Sequence, residues 1–179
     1  MVYSFFIISN EKESFLRQID IDSQATFLDL NDAILKSVNY SSDQLTEFYL
    51  TNKAWKEQHT IMLENFSEQP DTDFLLMKSC VLKTWIKEKG QRLMFLFDPI
   101  SRRMFHIELT QIKEGRLKIP ELIRQRDQAP KQIDLDLIEP VDPDDLFGLG
   151  SEDDYGSNNS DIYDSEDIVS LEDMDFEDY

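Results

Sequence analysis

The sequence contains little cysteine and little glycine. Cys80 is the single cysteine among 179 residues, so no disulfide can form within the chain, and a lone thiol fits a reducing compartment. Of the five glycines, Gly90 and Gly115 alone precede residue 133, and neither a GxGxxG nor a GxxxxGK(S/T) pattern occurs. The sequence therefore gives no support for nucleotide binding by a glycine-rich loop.

Histidine is also scarce, which limits the chemistry that can be predicted. His59 and His106 form no HxxxH pair, and with one thiol in the chain there is no CxxC pair, so we predict no metal site and no cofactor. A triad of Cys80, Asp98 and His106 can be drawn, but no local motif supports it. We predict no catalytic residue, and Asp98 and His106 are the best candidates if the protein is an enzyme. A strand histidine paired to a neighbour is the simpler interpretation of His106.

The chain also lacks a long hydrophobic run. Residues 1–9 are apolar, but no basic residue precedes them and the polar stretch 10–13 ends them, so they are too short for a signal sequence or a membrane span. We therefore expect a cytoplasmic protein without a membrane partner.

Charge is distributed unevenly along the chain. All 18 Lys and Arg lie between Lys12 and Lys131, whereas residues 133–179 contain 18 Asp and Glu and no base. The net charge of −19 is therefore almost entirely a property of the C-terminal segment. Such a segment repels itself and has too little apolar surface to offset chain entropy. We predict a folded domain over residues 1–132 and an acidic, largely disordered tail over residues 133–179. A solubilising tail is the simplest interpretation of this segment; a segment that binds a partner and a segment that shields the domain are the alternatives.

Hydrophobic periodicity predicts an α+β domain with a mainly antiparallel sheet of five to six strands and two helices. Apolar runs or alternation predict strands over residues 2–9, 15–21, 46–50, 60–63, 93–97 and 104–112. Apolar spacing predicts helices over residues 26–38 and 80–89, the first capped by Thr26 with Asp29. Residues 119–129 are expected to form a polar helix or an irregular segment, and residues 133–137 could add an edge strand.

A basic region near the end of the folded part is a candidate nucleic-acid site. Residues 102–131 hold eight bases and four acids. The acidic tail could compete with phosphates for these bases and so shield them. Trp55, Trp85, Phe95 and Phe97 could form a stacking platform for single strands, but burial in the core is the favoured interpretation. The basic residues that we predict as candidates are Arg102, Arg103, Arg116, Lys118, Arg124 and Arg126.

Short sequence patterns between Tyr3 and Ile112 resemble a known family. The residues that carry the resemblance are Phe15-Leu16-Arg17, Thr26-Phe27-Leu28-Asp29-Leu30, Ile34, Val38-Asn39-Tyr40, Leu45-Thr46-Glu47-Phe48 and Phe95-Leu96-Phe97-Asp98. The family is the Ri-plasmid ORF-three-like family, also described as transposon-passenger TnpR-like proteins. Its polar signature is largely replaced: Gln44 stands at the position of a histidine, and Pro99-Ile100-Ser101 stand at the position of Phe-Gly-Asp. Asp98 remains, and a later histidine of the family aligns with Phe105 or His106.

The resemblance implies an α+β domain of unassigned activity, found on mobile elements and in bacterial and archaeal chromosomes. Two hypotheses for function follow. The first is a non-catalytic interaction or adaptor domain in a bacterial cytoplasm, with the acidic tail contacting a protein partner or shielding the domain. The second is a nucleic-acid-associated protein linked to mobile elements. An enzyme is the third and least favoured interpretation.

Overall fold

The computed structural model describes residues 1–64 and 75–133, and these residues form one antiparallel sheet with two helices. Within them the seven strands pack in the order β4-β3-β5-β6-β1-β2-β7, and all neighbouring strands are antiparallel. The elements are β1 (Val2–Ser9), β2 (Lys12–Asp22), α1 (Phe27–Val38), β3 (Glu47–Thr51), β4 (Glu57–Met62), α2 (Leu82–Trp85), β5 (Arg92–Asp98), β6 (Arg103–Lys113) and β7 (Glu121–Arg126).

The expected fold class, an α+β domain with five to six strands and two helices, is wrong in its strand count and in the weight given to the helices. The described chain is mostly antiparallel sheet, with seven strands and two short helices. The extra strand is β7, in the region where we expected a polar helix or an irregular segment. All six residues of β7 are exposed, so the sequence lacks the alternation of apolar and polar residues that marks a half-buried strand.

The second helix is shorter than expected because the backbone becomes extended at Ile86. We predicted a helix over residues 80–89, but α2 has only four residues. The N–H groups of Leu82 and Lys83, which have no acceptor within the helix, donate to the carbonyls of Ala25 and Ser23 at 2.8 and 2.9 Å. Ile86 has φ −103° and ψ 116°, its carbonyl accepts from the Tyr3 hydroxyl at 2.9 Å, and the N–H of Lys87 donates to the side chain of Gln91 at 2.8 Å. These contacts end the helix at its C-terminal side.

Helix α1 confirms the prediction made from its apolar stripe and its cap. The Asp29 N–H donates to Thr26 Oγ1 at 3.2 Å, and the Thr26 N–H donates to Asp29 Oδ2 at 2.7 Å, which completes a capping box. The helix ends at Asn39, whose φ of 58° places it in the left-handed region. No helix among the described residues is long and apolar enough to cross a membrane.

The two faces of the sheet have different surroundings. The first face carries the main core, in which α1 and residues 76–86 pack against alternate residues of the central strands, Tyr3, Phe5, Ile7, Phe15, Ile19, Phe95, Phe97, Phe105 and Ile107. The opposite side, here called the second face, carries the intervening residues Phe6, Ile8, Leu16, Gln18, Met94, Leu96 and His106. The predicted edge strand over residues 133–137 falls, after Ile133, outside the described residues, as does the predicted acidic tail.

Candidate functional site

Charged side chains converge at one end of the sheet, where the β1–β2 and β5–β6 turns meet. The Arg103 guanidinium donates to both carboxylate oxygens of Glu11 at 2.7 and 3.0 Å, and its Nη1 lies 3.4 Å from Asp98 Oδ2. Asp98 Oδ1 accepts from the N–H groups of Ile100 and Ser101 at 3.1 and 3.2 Å. Hydrogen bonding to Glu11 raises the pKa of Arg103. We call these three residues, Glu11, Asp98 and Arg103, the end cluster. The positive charge of Arg103 is paired with the two carboxylates within the cluster.

The end cluster lies next to the last described segment of the chain. The Tyr40 hydroxyl donates to the carbonyl of Pro130 at 2.7 Å, and burial raises the pKa of Tyr40. The Gln132 amide exchanges two hydrogen bonds with the backbone of Ser41, at 2.7 and 2.8 Å, and the Gln132 carbonyl lies 3.4 Å from Arg103 Nη1. These contacts join the end of α1 to residues 130–132, so the geometry gives the end cluster a structural role.

His106 lies on the second face beneath an aromatic ring. Trp55, in the β3–β4 turn, packs edge-to-face on the imidazole with ring centroids 4.7 Å apart. The Arg92 guanidinium lies 5.0 Å from the centre of the Trp55 ring and pairs with Glu108 at 3.2 Å. His106 is 7% exposed, and its Nδ1 is buried with no hydrogen-bond partner among the described residues. Burial lowers the pKa of His106 to about 4, so the imidazole is neutral at pH 7.

The structure does not bring Asp98 and His106 together. Asp98 pairs across the strands with Arg103, whereas His106 lies opposite Met94. The Asp98 carboxylate is bonded to Arg103 and to the β5–β6 turn, and Trp55 packs on the imidazole. The described residues contain no group of three or more His, Cys, Asp or Glu that could hold a metal ion. The two residues therefore form no catalytic pair in the described chain.

Acid should destabilise the domain through His106. The folded-state pKa of about 4 lies below the value of about 6.5 in an unfolded chain, so below pH 6.5 the unfolded state binds a proton more readily than the folded state does. The stability contributed by the neutral imidazole is thus present above pH 6.5 and is lost as the pH falls towards 4. We expect a loss of about 3 kcal/mol between pH 7 and pH 4, measured by urea unfolding at each pH.

A variant without the imidazole isolates this contribution. His106→Phe should lose about 3 kcal/mol less than the wild type over the same pH interval. Met94→Leu is the matched control, since Met94 lies opposite His106 and does not titrate, and it should keep the wild-type pH dependence. Identical pH dependence of His106→Phe and the wild type would contradict the assignment.

The six basic residues predicted as a nucleic-acid site do not form one patch. Arg102 lies in the β5–β6 turn, whereas Arg116 and Lys118 lie in the β6–β7 connection, at the other end of β6. The eleven residues of β6 separate these ends by about 34 Å. Arg124 and Arg126 are exposed on β7 opposite Gln18 and Leu16, and so point to the second face. Arg103 is buried in the end cluster.

A groove of about 430 Å³ lies between α1 and β7. Its apolar lining includes Ile19, Ala33, Ile119 and Leu122, and its polar lining contains Asp29, Asp32, Lys36 and Glu121. Ile119 is 71% exposed and Leu122 is 43% exposed. A smaller hollow of about 280 Å³ shares Asp29 and Pro120 with the groove and is lined by Asp22 and Lys118 among others. The lining of the groove therefore combines apolar side chains with three carboxylates and one lysine.

The sequence did not predict that Glu11 pairs with Arg103 or that Trp55 packs on His106. Glu11 reaches Arg103 across 92 residues of sequence, and no local pattern signals a pair at that separation. The β3–β4 turn has a local signal, because the side chain of Asn52 accepts from the N–H groups of Ala54 and Lys56 at 2.8 and 3.0 Å, as Asn commonly does in turns. That turn gives Trp55 a φ of 58°. Phe95 and Phe97 are fully buried, which confirms the core interpretation for these two residues.

Comparisons with known proteins identify the family and leave the activity open. A crystal structure of a protein of unknown function from Methanosarcina mazei Go1, MM3350, superposes with a TM-score of 0.55 at 20% identity, covering 69% of this chain and 68% of that chain. This likeness shows the fold alone. A search of curated proteins finds no significant match. The sequence model of the family described as plasmid pRiA4b ORF-3-like protein matches residues 6–134, which confirms the resemblance found in the sequence. The chain therefore belongs to the plasmid pRiA4b ORF-3-like family.

Proposed function

We propose that this chain is a non-catalytic interaction domain that binds an extended segment of a partner protein along β7 and in the groove between α1 and β7. The observation that carries the proposal is the position of β7. It is the terminal strand of the sheet in the described chain, so the backbone groups on its outer edge have no neighbouring strand there. An exposed strand edge of this kind can accept a further strand from another protein.

The surface beside this edge is suited to apolar side chains. Ile119, Leu122 and Ile123 are 71%, 43% and 48% exposed and lie on or just before β7. Leu122 lies opposite Ile19 of β2 and so points to the first face, where it lines the groove. A partner strand paired with β7 would place alternate side chains over this lining.

The charge of the groove indicates the chemistry of the partner. The three carboxylates of Asp29, Asp32 and Glu121 outnumber the single lysine, Lys36, in its lining. A partner segment with alternating apolar residues and at least one Lys or Arg would complement this charge. The acidic C-terminal tail of the chain has no base and does not meet that description.

Selection from a library of displayed extended peptides tests the proposal. We expect the full chain to enrich peptides with alternating apolar residues and a Lys or Arg. Leu122→Asp should weaken binding of a selected peptide at least tenfold by isothermal titration calorimetry, because it places a carboxylate in the apolar part of an acidic groove.

The matched control is Ile100→Asp. Ile100 is 70% exposed in the β5–β6 turn and outside the groove, so this variant adds the same charge elsewhere and should leave binding unchanged. Equal binding to the wild type and to Leu122→Asp, or no enrichment of any peptide, would contradict the proposal.

A further inference from the structure

The two edges of the sheet differ in how far they are covered. At β4 the Met62 N–H donates to the Leu75 carbonyl at 2.8 Å, and the Met62 carbonyl accepts from the Met77 N–H at 2.9 Å, so residues 75–77 lie along the end of that edge. In residues 1–64 and 75–133, no further strand lies beside β7, and all six of its residues are exposed. The outer edge of β7 is therefore the edge to which a strand of another chain can be added.

Strand β7 contains one extra residue relative to its neighbour β2. Gln18 and Ile19 are adjacent on β2, but they lie opposite Arg124 and Leu122, so Ile123 is the extra residue of a β-bulge. Side chains of a regular strand alternate between the two faces of the sheet. Beyond a bulge of one residue this alternation is shifted by one position.

The bulge brings Glu121 and Arg126 to the same face of the sheet. Residues five positions apart point to opposite faces in a regular strand. In β7, however, Glu121 lies opposite Asp20 and Arg126 lies opposite Leu16. Asp20 and Leu16 are four positions apart on β2 and share the second face, and residues directly opposite each other in neighbouring strands point to the same side. Glu121 and Arg126 therefore both lie on the second face.

A second copy of β7 fits this edge in antiparallel orientation. Two copies of a strand that pair in this way are related by a two-fold axis perpendicular to the sheet, which keeps each face on its own side, so residues that meet must share a face. Placing Glu121 opposite Arg126 of the second copy meets this condition. The same register places Leu122 opposite Gln125 of the second copy, and both of these residues lie on the first face. The bulge is what makes this register possible.

The charges of β7 favour the antiparallel arrangement. It forms two Glu121–Arg126 pairs between the copies, one on each side of the axis, and opposite charges directly across two strands attract. Neither residue takes part in the ion pairs found in the described part of the chain. A parallel pairing of the two copies in register would instead place Glu121, Arg124 and Arg126 each opposite the same residue, so that like charges repel.

We propose that two copies of this chain pair along β7 in antiparallel orientation, with Glu121 of each copy opposite Arg126 of the other. The inference rests on the function proposed above, in which β7 accepts a further strand. The second copy supplies a strand that combines apolar residues, Leu122 and Ile123, with arginine, which is the chemistry that the groove favours. The dimer closes the outer edge of β7 in both copies, so a partner segment must displace the second copy in order to bind.

Charge reversal at the two positions tests the proposal. Sedimentation equilibrium of the full chain measures the dissociation constant of the dimer, at an ionic strength of about 0.15 M to screen the net charge of −19 on each copy. Glu121→Arg and Arg126→Glu should each weaken self-association at least tenfold, because each places like charges opposite each other at two positions. An equimolar mixture of the two variants should form a heterodimer with the affinity of the wild type, since both pairs across the strands again have opposite charges.

Arg102→Glu is the matched control. Arg102 is exposed in the β5–β6 turn, away from β7, so reversing its charge should keep the dissociation constant of the wild type. Circular dichroism shows that each variant has folded. A wild type that stays monomeric up to about 0.5 mM, an unchanged dissociation constant in either β7 variant, or a mixture no tighter than the separate variants would each overturn the proposal.

A peptide selected by the full chain separates this inference from the proposed function. A peptide that binds a chain found to be monomeric supports the proposed function and overturns the dimer. Self-association with the expected charge dependence, but without enrichment of any peptide, supports the dimer and contradicts the proposed function. When both are correct, adding the peptide should raise the fraction of monomer in the sedimentation experiment.

Discussion

Replacing Phe105 with alanine is expected to lower the free energy of unfolding by about 4 kcal/mol. Phe105 is fully buried, and its ring centroid lies 4.5 Å from that of Phe97, 5.1 Å from Phe15, 6.0 Å from Tyr40 and 6.5 Å from Phe95. The variant removes the ring that joins β2, β5 and the end of α1, and the surrounding rings can close the resulting cavity only in part. Urea unfolding followed by circular dichroism measures the change.

Two further variants test this explanation. Phe105→Leu keeps most of the buried volume and should lose about 1.5 kcal/mol. Ile112→Ala removes an apolar side chain from an exposed position of the same strand, where Ile112 is 37% exposed, and should lose about 1 kcal/mol or less. A loss from Phe105→Ala no greater than that from Ile112→Ala would show that the ring cluster does not hold the core together.

Replacing Arg103 with methionine should cost about 3–5 kcal/mol, because it leaves the Asp98 carboxylate buried without its cation. Asp98 is 5% exposed and Arg103 is 7% exposed, so solvent screens this pair little. The substitution also removes the two hydrogen bonds to Glu11 and the contact with the Gln132 carbonyl. The free energy of unfolding at pH 7 is the measurement, and Arg102→Met is the control, since Arg102 is exposed and should change stability by about 0.5 kcal/mol or less.

A second substitution separates the charge from the packing. Adding Asp98→Asn to Arg103→Met removes the unpaired carboxylate and should restore part of the lost stability. The effect of Asp98→Asn on the free energy of unfolding is measured in the wild type and in Arg103→Met. An equal loss in both backgrounds would show that the two residues are not coupled. The guanidinium also lies 5.1 Å from the centre of the Phe97 ring, and the double variant does not recover that contact.

The sequence predicted those elements that are marked by an apolar run, by alternation or by an apolar stripe. Strand β1 was predicted from its apolar run, β2 from the alternation over residues 15–21, and α1 from its apolar stripe and its cap. Strand β7 was not predicted, because a strand is recognised in a sequence by apolar residues that alternate with polar ones when one face is buried. Both faces of β7 are exposed, so this alternation is absent. Helix α2 was predicted too long, because the backbone becomes extended at Ile86, whose carbonyl bonds to the hydroxyl of Tyr3, 83 positions earlier.

The candidate site was harder to predict, because its contacts are long-range. The sequence predicted Arg103 as one of six candidate nucleic-acid-binding bases, but the structure buries it in an ion pair with Glu11, which lies in the β1–β2 turn. His106 was expected to pair with a neighbour. In the structure the ring of Trp55 packs against the His106 imidazole. Trp55 lies in the β3–β4 turn and itself has the left-handed backbone conformation. Both contacts join residues that lie far apart in the sequence, and no short motif marks either of them. A single sequence therefore does not predict these contacts.

The position of β1 between β2 and β6 affects how the domain can fold during synthesis. Val2 pairs with Lys113 on one side and with Asp22 on the other. The β1–β2 hairpin is complete at Asp22, but the other edge of β1 has no partner until β6, which ends at Lys113, has also left the ribosome. Pairing between such distant residues is slow because a long loop must close first, and an unpaired edge rich in Phe and Ile can associate with other chains in the meantime. The interval between synthesis of β2 and of β6 is therefore the period in which this edge can pair with another chain.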